Sequence, residues 1–185
     1  MEALQKEKRY TYADYCTWDD GERWELIDGI PYAMSPAPLV AHQAVVGNLH
    51  YQLFNFLKGH LCRVYLSPFD VRLNPDTDDD TVVQPDLLVV CDKSKLDKRG
   101  CNGAPDMIIE VLSPSNTRRD TVLKLNTYKR AGVREYWIVD PDTKAVSAYL
   151  LKDGEYIIRA YADADTAPVH ILEGCTISLQ DVFAE

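Results

Sequence analysis

Long apolar runs, clustered cysteines and an excess of positive charge are all missing from this 185-residue chain, and each absence removes a class of function. No segment approaches the roughly 18 uninterrupted apolar residues of a membrane span. The first eight residues, with Glu2, Lys6, Glu7 and Lys8 among them, offer no apolar core for a secretory signal. A cytoplasmic protein without a membrane partner is expected. The five cysteines, Cys16, Cys62, Cys91, Cys101 and Cys175, are scattered, with no C-x-x-C pair and no Cys/His cluster at zinc spacing, so all five are expected as reduced thiols. Basic residues are scarce: 20 Lys and Arg against 29 Asp and Glu leave a net charge of −9. That balance does not suit a protein that coats nucleic acid, because phosphate binding relies on Lys and Arg displacing counterions. Repeats, low-complexity linkers and composition shifts are absent too, and a single domain over residues 1–185 is expected.

The charge that is present is unevenly placed. Residues 93–135 hold ten basic side chains against five acidic ones, a local +5, so a phosphate-facing surface is expected around this window, with a solvated helix face as the plainer reading. The first clear element spans Trp24 to Met34, where Asp28-Gly29 between two β-compatible runs marks a two-residue hairpin and sets Glu25 opposite Tyr32. Val45, Val46, Leu49, Leu53 and Phe56 recur at helical spacing within residues 39–57, with His42 on the same inner face. Strands are expected over Val64–Leu73 and Val82–Cys91, joined by the acidic turn 74–80, which lacks the ligand spacing of an EF-hand and reads as a solvated tip. A strand from Met107 to Leu112 follows. Thr117 and Asp120 have capping-box spacing, a helix runs from Arg118 to Ala131, and Gly132 stops it. Arg134–Asp140, Ala145–Leu151 and Tyr156–Ala162 complete the strands of an α/β domain; the region from Ala164 onward carries little signal. The eleven tyrosines lie mostly in expected strands and read as sheet packing.

Two carboxylates stand where a buried strand should be apolar. Asp86 opens the run Pro85-Asp86-Leu87-Leu88-Val89-Val90, and Glu110 sits inside Met107-Ile108-Ile109-Glu110-Val111. An unpaired buried carboxylate costs several kcal/mol, so such residues are hydrogen-bonded, ion-paired or holding a metal. Alternation along the strand puts Asp106, Ile108 and Glu110 on one face and Met107, Ile109 and Val111 on the other. On the helix that follows, Asp120, Lys124 and Tyr128 form one stripe at i+4 steps beside Val122 and Leu125. By spacing alone Lys124 reads as a rim lysine snorkelling from the buried face and paired with Asp120.

As an ordered set, several of these segments resemble the Uma-two family of the restriction-endonuclease-like superfamily, whose pattern is PD-(D/E)XK. They are Glu25 in Trp-Glu-Leu-Ile-Asp-Gly, Pro85-Asp86, Glu110-Val111-Leu112-Ser113-Pro114-Ser115, Asp120-x-x-x-Lys124-x-x-x-Tyr128 and Gly132-Val133-Arg134-Glu135-Tyr136-Trp137-Ile138-Val139-Asp140. The resemblance is strongest over residues 24–140. It implies a restriction-endonuclease-like fold: a mixed central β-sheet flanked by α-helices, here with an N-terminal β-hairpin. The chain departs from the parent pattern at Leu112, where the motif has lysine. The resemblance implies that Lys124 takes that place from the following helix. It also favours Asp86 over Asp106 as the motif aspartate, because Asp106 shares a strand with Glu110.

The chemistry so implied is metal-dependent hydrolysis of phosphodiester bonds, with DNA as partner. Asp86, Glu110 and the Val111 carbonyl would hold Mg2+, with Mn2+ as a substitute. Lys124 would orient the attacking water, Glu25 would bind a second ion or a water, and His42 has two readings, a satisfied core histidine or a contact to the phosphate or water. Arg118 and Arg119 would grip the substrate backbone. A homodimer would double the basic surface. The alternative from a different class is a catalytically silent binding or assembly module on the same fold.

Overall fold

Two prolines decide how this chain divides its strands. The computed structural model describes residues 8–34, 39–114 and 118–184, the backbone alone at 118–120. Each of the two long strands expected from the sequence is two strands. The first is broken at Ser67-Pro68 into β3 (Arg63–Leu66) and β4 (Asp70–Arg72), and the second at Gln84-Pro85 into β5 (Val82–Val83) and β6 (Leu87–Val90). Proline has no N–H to give a ladder, so pairing cannot run through either position. The halves join different sheets, and Ser67 N donates to Asp86 O at 3.1 Å to tie the two corners together.

The remaining elements fall around those corners. They are α1 (Tyr12–Tyr15), β1 (Trp24–Ile27), β2 (Ile30–Ala33), α2 (Val40–Leu57), β7 (Gly100–Asn102), β8 (Met107–Val111), α3 (Arg118–Ala131), β9 (Glu135–Asp140), β10 (Ala145–Lys152), β11 (Glu155–Ala162), β12 (Thr166–Pro168), β13 (Thr176–Ser178) and α4 (Leu179–Val182). A six-stranded sheet has the order β11-β10-β9-β8-β6-β3 and a five-stranded sheet the order β2-β1-β5-β4-β7. Within the larger sheet only β8 and β9 are parallel, and α3 makes the crossover between them. This is the mixed central sheet flanked by helices that the sequence implied.

Local chemistry explains why the expected elements form. Asp28 and Gly29 have φ of 50° and 74°, the left-handed pair a two-residue turn requires, and β1 and β2 pair with Glu25 opposite Tyr32. Helix α3 covers the expected span and stops at Gly132, φ 85°, where Val133 N returns to Tyr128 O at 3.0 Å. The Thr117–Asp120 capping pair lies outside the described residues. Helix α1, unforeseen, is nucleated by a Thr11/Asp14 capping box.

Alternation along β6 and β8 separates two cores. Leu87, Val89, Met107, Ile109 and Val111 face α2, together with Ala167, Ile177, Leu179 and Val182 of the C-terminal segment. Leu88, Val90 and Ile108 face the other way, toward Tyr128 of α3 and Ile27, Val71 and Val83 of the smaller sheet. The C-terminal segment, mute in sequence, thus completes a core and docks on α2, where Gln52 Nε2 and Oε1 bond Ser178 O and N at 3.0 and 2.8 Å. Tyr128, Tyr136, Tyr149 and Tyr156 pack ring on ring in series at 4.9–5.9 Å, edge to face at the two outer pairs and stacked between Tyr136 and Tyr149, the packing role expected of them. The thiol expectation is corrected at two positions: Cys62 and Cys91 form a disulfide, brought opposite by the Arg63–Val90 register, while Cys16, Cys101 and Cys175 are free. No helix among the described residues is long and apolar enough to cross a membrane.

Gly100 is where the smaller sheet closes most tightly, since a Cβ there would lie 2.1 Å from the Asp70 carbonyl oxygen. Gly100→Ala is expected to cost about 1–3 kcal/mol by forced overpacking, read as a fall of several °C in Tm by circular dichroism. An unchanged Tm would refute this account of the β4–β7 contact.

Candidate active site

The Pro85 corner fixes the first carboxylate. In the antiparallel β6–β8 pair Leu87 lies opposite Ile109, so one step further along both strands sets Asp86 beside Glu110 at the same sheet edge. Glu25 arrives from the other sheet, on β1, where the Gln84 N–H donates to its Oε1 at 2.9 Å. From α3, Lys124 reaches between the sheets: its Nζ donates to Glu110 Oε1 at 2.9 Å and to Glu25 Oε1 at 3.0 Å, with 18% of the side chain exposed. The spacing-based reading named neither partner; the Asp120 side chain it named instead lies outside the described residues, as do those of Arg118 and Arg119. Val122 points to solvent, and Leu123 and Leu125 pack instead.

His42, Asp86, Glu110 and Tyr128 form a second layer of contacts. The Val111 N–H donates to Asp86 Oδ2 at 2.8 Å, and His42 Nε2 is 3.3 Å from the same oxygen. Among the described residues His42 Nδ1 is buried with no hydrogen-bond partner, which does not match a core histidine satisfied at both nitrogens. The Tyr128 hydroxyl donates to Glu110 Oε1 at 2.6 Å. Each metal-candidate carboxylate therefore has one oxygen fixed by protein donors, while among the described residues Asp86 Oδ1 and Glu110 Oε2 carry no hydrogen bond. Asp106, by contrast, is used structurally, accepting from Cys91 N at 2.7 Å and from Arg134 at 2.7 Å.

Burial sets the electrostatics. It pushes the Glu110 carboxyl up to about 7; Lys124 opposes that rise, and the negative charges of Asp86 and Glu25 add to it. Burial works against charge on Lys124 as well, but the two carboxylates outweigh it and hold the ammonium above its ordinary pKa. His42 is also raised: burial opposes, and the hydrogen bond and charge of Asp86, with the Val111 backbone, prevail. Glu25 and Glu110 share one lysine and Asp86 stands beside Glu110, a concentration of negative charge that a divalent cation would relieve. No three His, Cys, Asp or Glu side chains among the described residues form a metal cluster. The two carboxylates and one carbonyl fit Mg2+, which retains several waters and takes one or two carboxylates, and do not fit a closed zinc cage.

Sequence reasoning missed the support around Glu25. Arg23, Gln84, Asp70 and Tyr15 form a chain of side-chain hydrogen bonds, Arg23 Nη2 to Gln84 Oε1 at 2.5 Å and Gln84 Nε2 to Asp70 Oδ1 at 2.8 Å and Tyr15 OH at 3.1 Å, which pins the Gln84 backbone that holds Glu25. Nothing in residue spacing links four such distant positions. Tyr128 was visible in the α3 stripe without a stated role. A cavity of about 1480 Å3 lies elsewhere, between the hairpin, the 74–80 turn and the side of α3 bearing Thr127 and Arg130; none of Glu25, Asp86, Glu110 and Lys124 lines it. The acidic turn is held by its own residues and by Arg72, which pairs with Asp79 at 2.8 Å.

The Uma2 family model, described as "Putative restriction endonuclease", matches residues 11–180. An uncharacterized protein of Synechocystis sp., slr1290, is 25% identical over 156 residues, spanning 82% of this chain and 80% of that protein. The crystal structure of a putative nuclease belonging to DUF820, from Anabaena variabilis, matches with a TM-score of 0.76 at 20% identity, covering 94% of this chain and 97% of that one. At that identity the likeness is one of fold, and the fold is restriction-endonuclease-like.

Glu110 makes a stability prediction with a definite sign. Its folded-state pKa lies above the unfolded value, so its stabilising contribution is complete below about pH 4.5 and is lost as pH rises through about 7. Without divalent ions, Glu110→Gln should therefore melt roughly 2–4 °C above the unaltered protein at pH 8, the shift for about 1 kcal/mol in a chain of this size. The gap should close at pH 5. A variant that melts lower at pH 8 would overturn this description of the site.

Proposed function

The chain belongs to the Uma2 family, and from that membership and the Asp86, Glu110 and Lys124 geometry we propose that it is a metal-dependent nuclease that hydrolyses phosphodiester bonds of DNA. The observation that carries the reading is the position of Lys124. The strand offers Leu112 where the parent motif has lysine, and Lys124 Nζ lies 2.9 Å from Glu110 at the edge where Asp86 and Glu110 stand side by side.

In this reading Asp86, Glu110 and the Val111 carbonyl would hold Mg2+ or Mn2+. The ion would supply an acidified water and charge neutralisation at the phosphoryl group. The chain's own residues do the rest. Val111 N–H and His42 fix one oxygen of Asp86, and Tyr128 and Lys124 fix one oxygen of Glu110, so the free oxygen of each carboxylate is presented in a set orientation. Lys124 stays protonated between its carboxylates and stabilises negative charge that develops on the transferring phosphoryl oxygens. Glu25 holds the ammonium in place from the opposite sheet, and His42 stands where it can meet the phosphate or its attacking water. Arg118 and Arg119, at the start of α3 in the basic window, supply backbone-phosphate contacts. One observation favours the silent binding module: Lys124 already has both of its carboxylate partners satisfied.

The deciding experiment incubates the purified protein with single- and double-stranded DNA, with an RNA arm, in Mg2+ or Mn2+, beside Asp86→Ala and Lys124→Ala, with metal binding by calorimetry and folding by circular dichroism. The expected outcome is metal-dependent cutting, abolished by Asp86→Ala together with metal binding. Lys124→Ala should bind metal yet cut about 10²–10³-fold more slowly, the effect of removing one transition-state donor. Loss of activity in Asp86→Ala alone would keep the metal site and discard the lysine assignment. No cutting and no metal binding by the unaltered protein would leave the binding module.

A further inference from the structure

Helix α2 is apolar on two opposite sides. Its inner side, His42, Val45, Val46, Leu49, Leu53 and Leu57, is buried in the core. Its outer side carries a second stripe, Val40, Ala44, Gly47, Tyr51 and Phe54, all of them exposed. Val40 is 88% exposed, Tyr51 68% and Phe54 49%. Polar side chains such as Gln43 and Asn48 separate the two stripes, and the solvent side of a surface helix is ordinarily charged or polar rather than apolar. The spacing of the outer stripe is 4, 3, 4 and 3 residues, the a/d repeat of a helix that lies along another helix.

We infer that this outer face is the interface of a homodimer, in which α2 packs antiparallel against α2 of a second copy about a two-fold axis at Gly47. The stripe is complementary to itself under that operation. With Gly47 on the axis, Val40 of one protomer lies level with Phe54 of its partner, and Ala44 lies within one residue's rise of Tyr51. Each large side chain faces a smaller one, and the glycines permit close approach at the centre. Nothing lies within 4 Å of the Gly47 Cβ position, so the notch is open on the outside.

Charge selects the same occupant. The chain carries a net −9, and bringing two copies together is opposed wherever their carboxylates meet. Between Asp28 and Asp70 there is not one Asp or Glu, and α2 lies wholly inside that interval. The interval holds only two Lys or Arg residues, Lys58 and Arg63, too few to draw a nucleic acid or an anionic membrane to this face. Leu39 and Leu61, 60% and 67% exposed, extend the apolar surface past the two ends of the helix, where an antiparallel partner would end. This inference stands whether or not the Asp86 site cuts DNA.

The test is sedimentation equilibrium of the full chain across a concentration series, beside Gly47→Glu and Tyr51→Ala. Gly47→Glu is suited to it, because the protomer has room for the side chain and any residue other than proline raises helix propensity over glycine, so Tm should not fall. Expected is a species of twice the 21.0 kDa chain mass for the unaltered protein. Gly47→Glu should give the single-chain mass, and Tyr51→Ala a dissociation constant weakened by roughly tenfold or more. A single-chain mass for the unaltered protein at every concentration would overturn the inference, as would a Gly47→Glu variant that still doubles. So would an unaltered monomer that instead sediments with anionic vesicles or with single-stranded DNA.

Discussion

One buried ammonium joins the two sheets of this protein. Lys124 Nζ is 3.0 Å from Glu25, on the five-stranded sheet, and 2.9 Å from Glu110, on the six-stranded one, and it reaches both from α3. Three pieces of chain, β1, β8 and α3, are thereby set to within hydrogen-bond length of one ammonium, reinforced by the Tyr128 hydroxyl on Glu110 and by Arg130 on Asp28. Taking an ion out of water costs several kcal/mol, and apolar side chains in place of a buried ion pair are often neutral or stabilising. Stability therefore gives the fold little reason to keep such a cluster. The burial that lifts Glu110 to about 7 is the same arrangement that leaves Asp86 Oδ1 and Glu110 Oε2 without a hydrogen bond among the described residues, and perturbed, clustered carboxylates of this kind are more typical of functional sites than of structural ones.

How much of this was legible in the sequence depends on how local each signal was. The Asp28-Gly29 turn, the inner face of α2, the span of α3 and its Gly132 stop rest on residues within a few positions of each other, and the structure reproduces them. The β-alternation at Glu110 was legible for the same reason, with Ile108 and Met107 in opposite cores. Pro68 and Pro85 were visible as residues, yet the long strands drawn through them were wrong. A proline announces that a ladder is interrupted, while the sheet that takes the far half is chosen by partners tens of residues away. The consequence is large, because the Pro85 corner is what presents Asp86 beside Glu110.

The other misses are non-local too. The C-terminal segment has no strong period, and it is ordered by the groove between α2 and the sheet and by Gln52, 126 residues earlier in the chain. Cys62 and Cys91 look unpaired in a list of spacings, and the disulfide follows only from the β3–β6 register. Lys124 was placed at the rim of the buried face by its i+4 stripe, but its partners could not be read from the helix, since both lie on strands 14 and 99 residues away. The resemblance to a family suggested a role for Lys124, and the geometry shows which carboxylates it meets.

Helix α2 connects these levels. Its inner face brings His42 to within 3.3 Å of Asp86, and the same rigid rod carries Tyr51 and Phe54 on its outer side. Helix–helix contact along the outer stripe would restrain α2 against the sheet and with it the ring that fixes an oxygen of Asp86. With the axis at Gly47, His42 lies five residues away, so the two copies of His42 are separated by about 15 Å along the helix direction at 1.5 Å per residue. Two sites related by a two-fold axis face opposite strands of a duplex in the same way, because the two strands share that symmetry. The proposed dimer would also ease the charge problem posed by the composition. Pairing two chains of net −9 across their carboxylate-free interval would keep the acidic surfaces out of the interface.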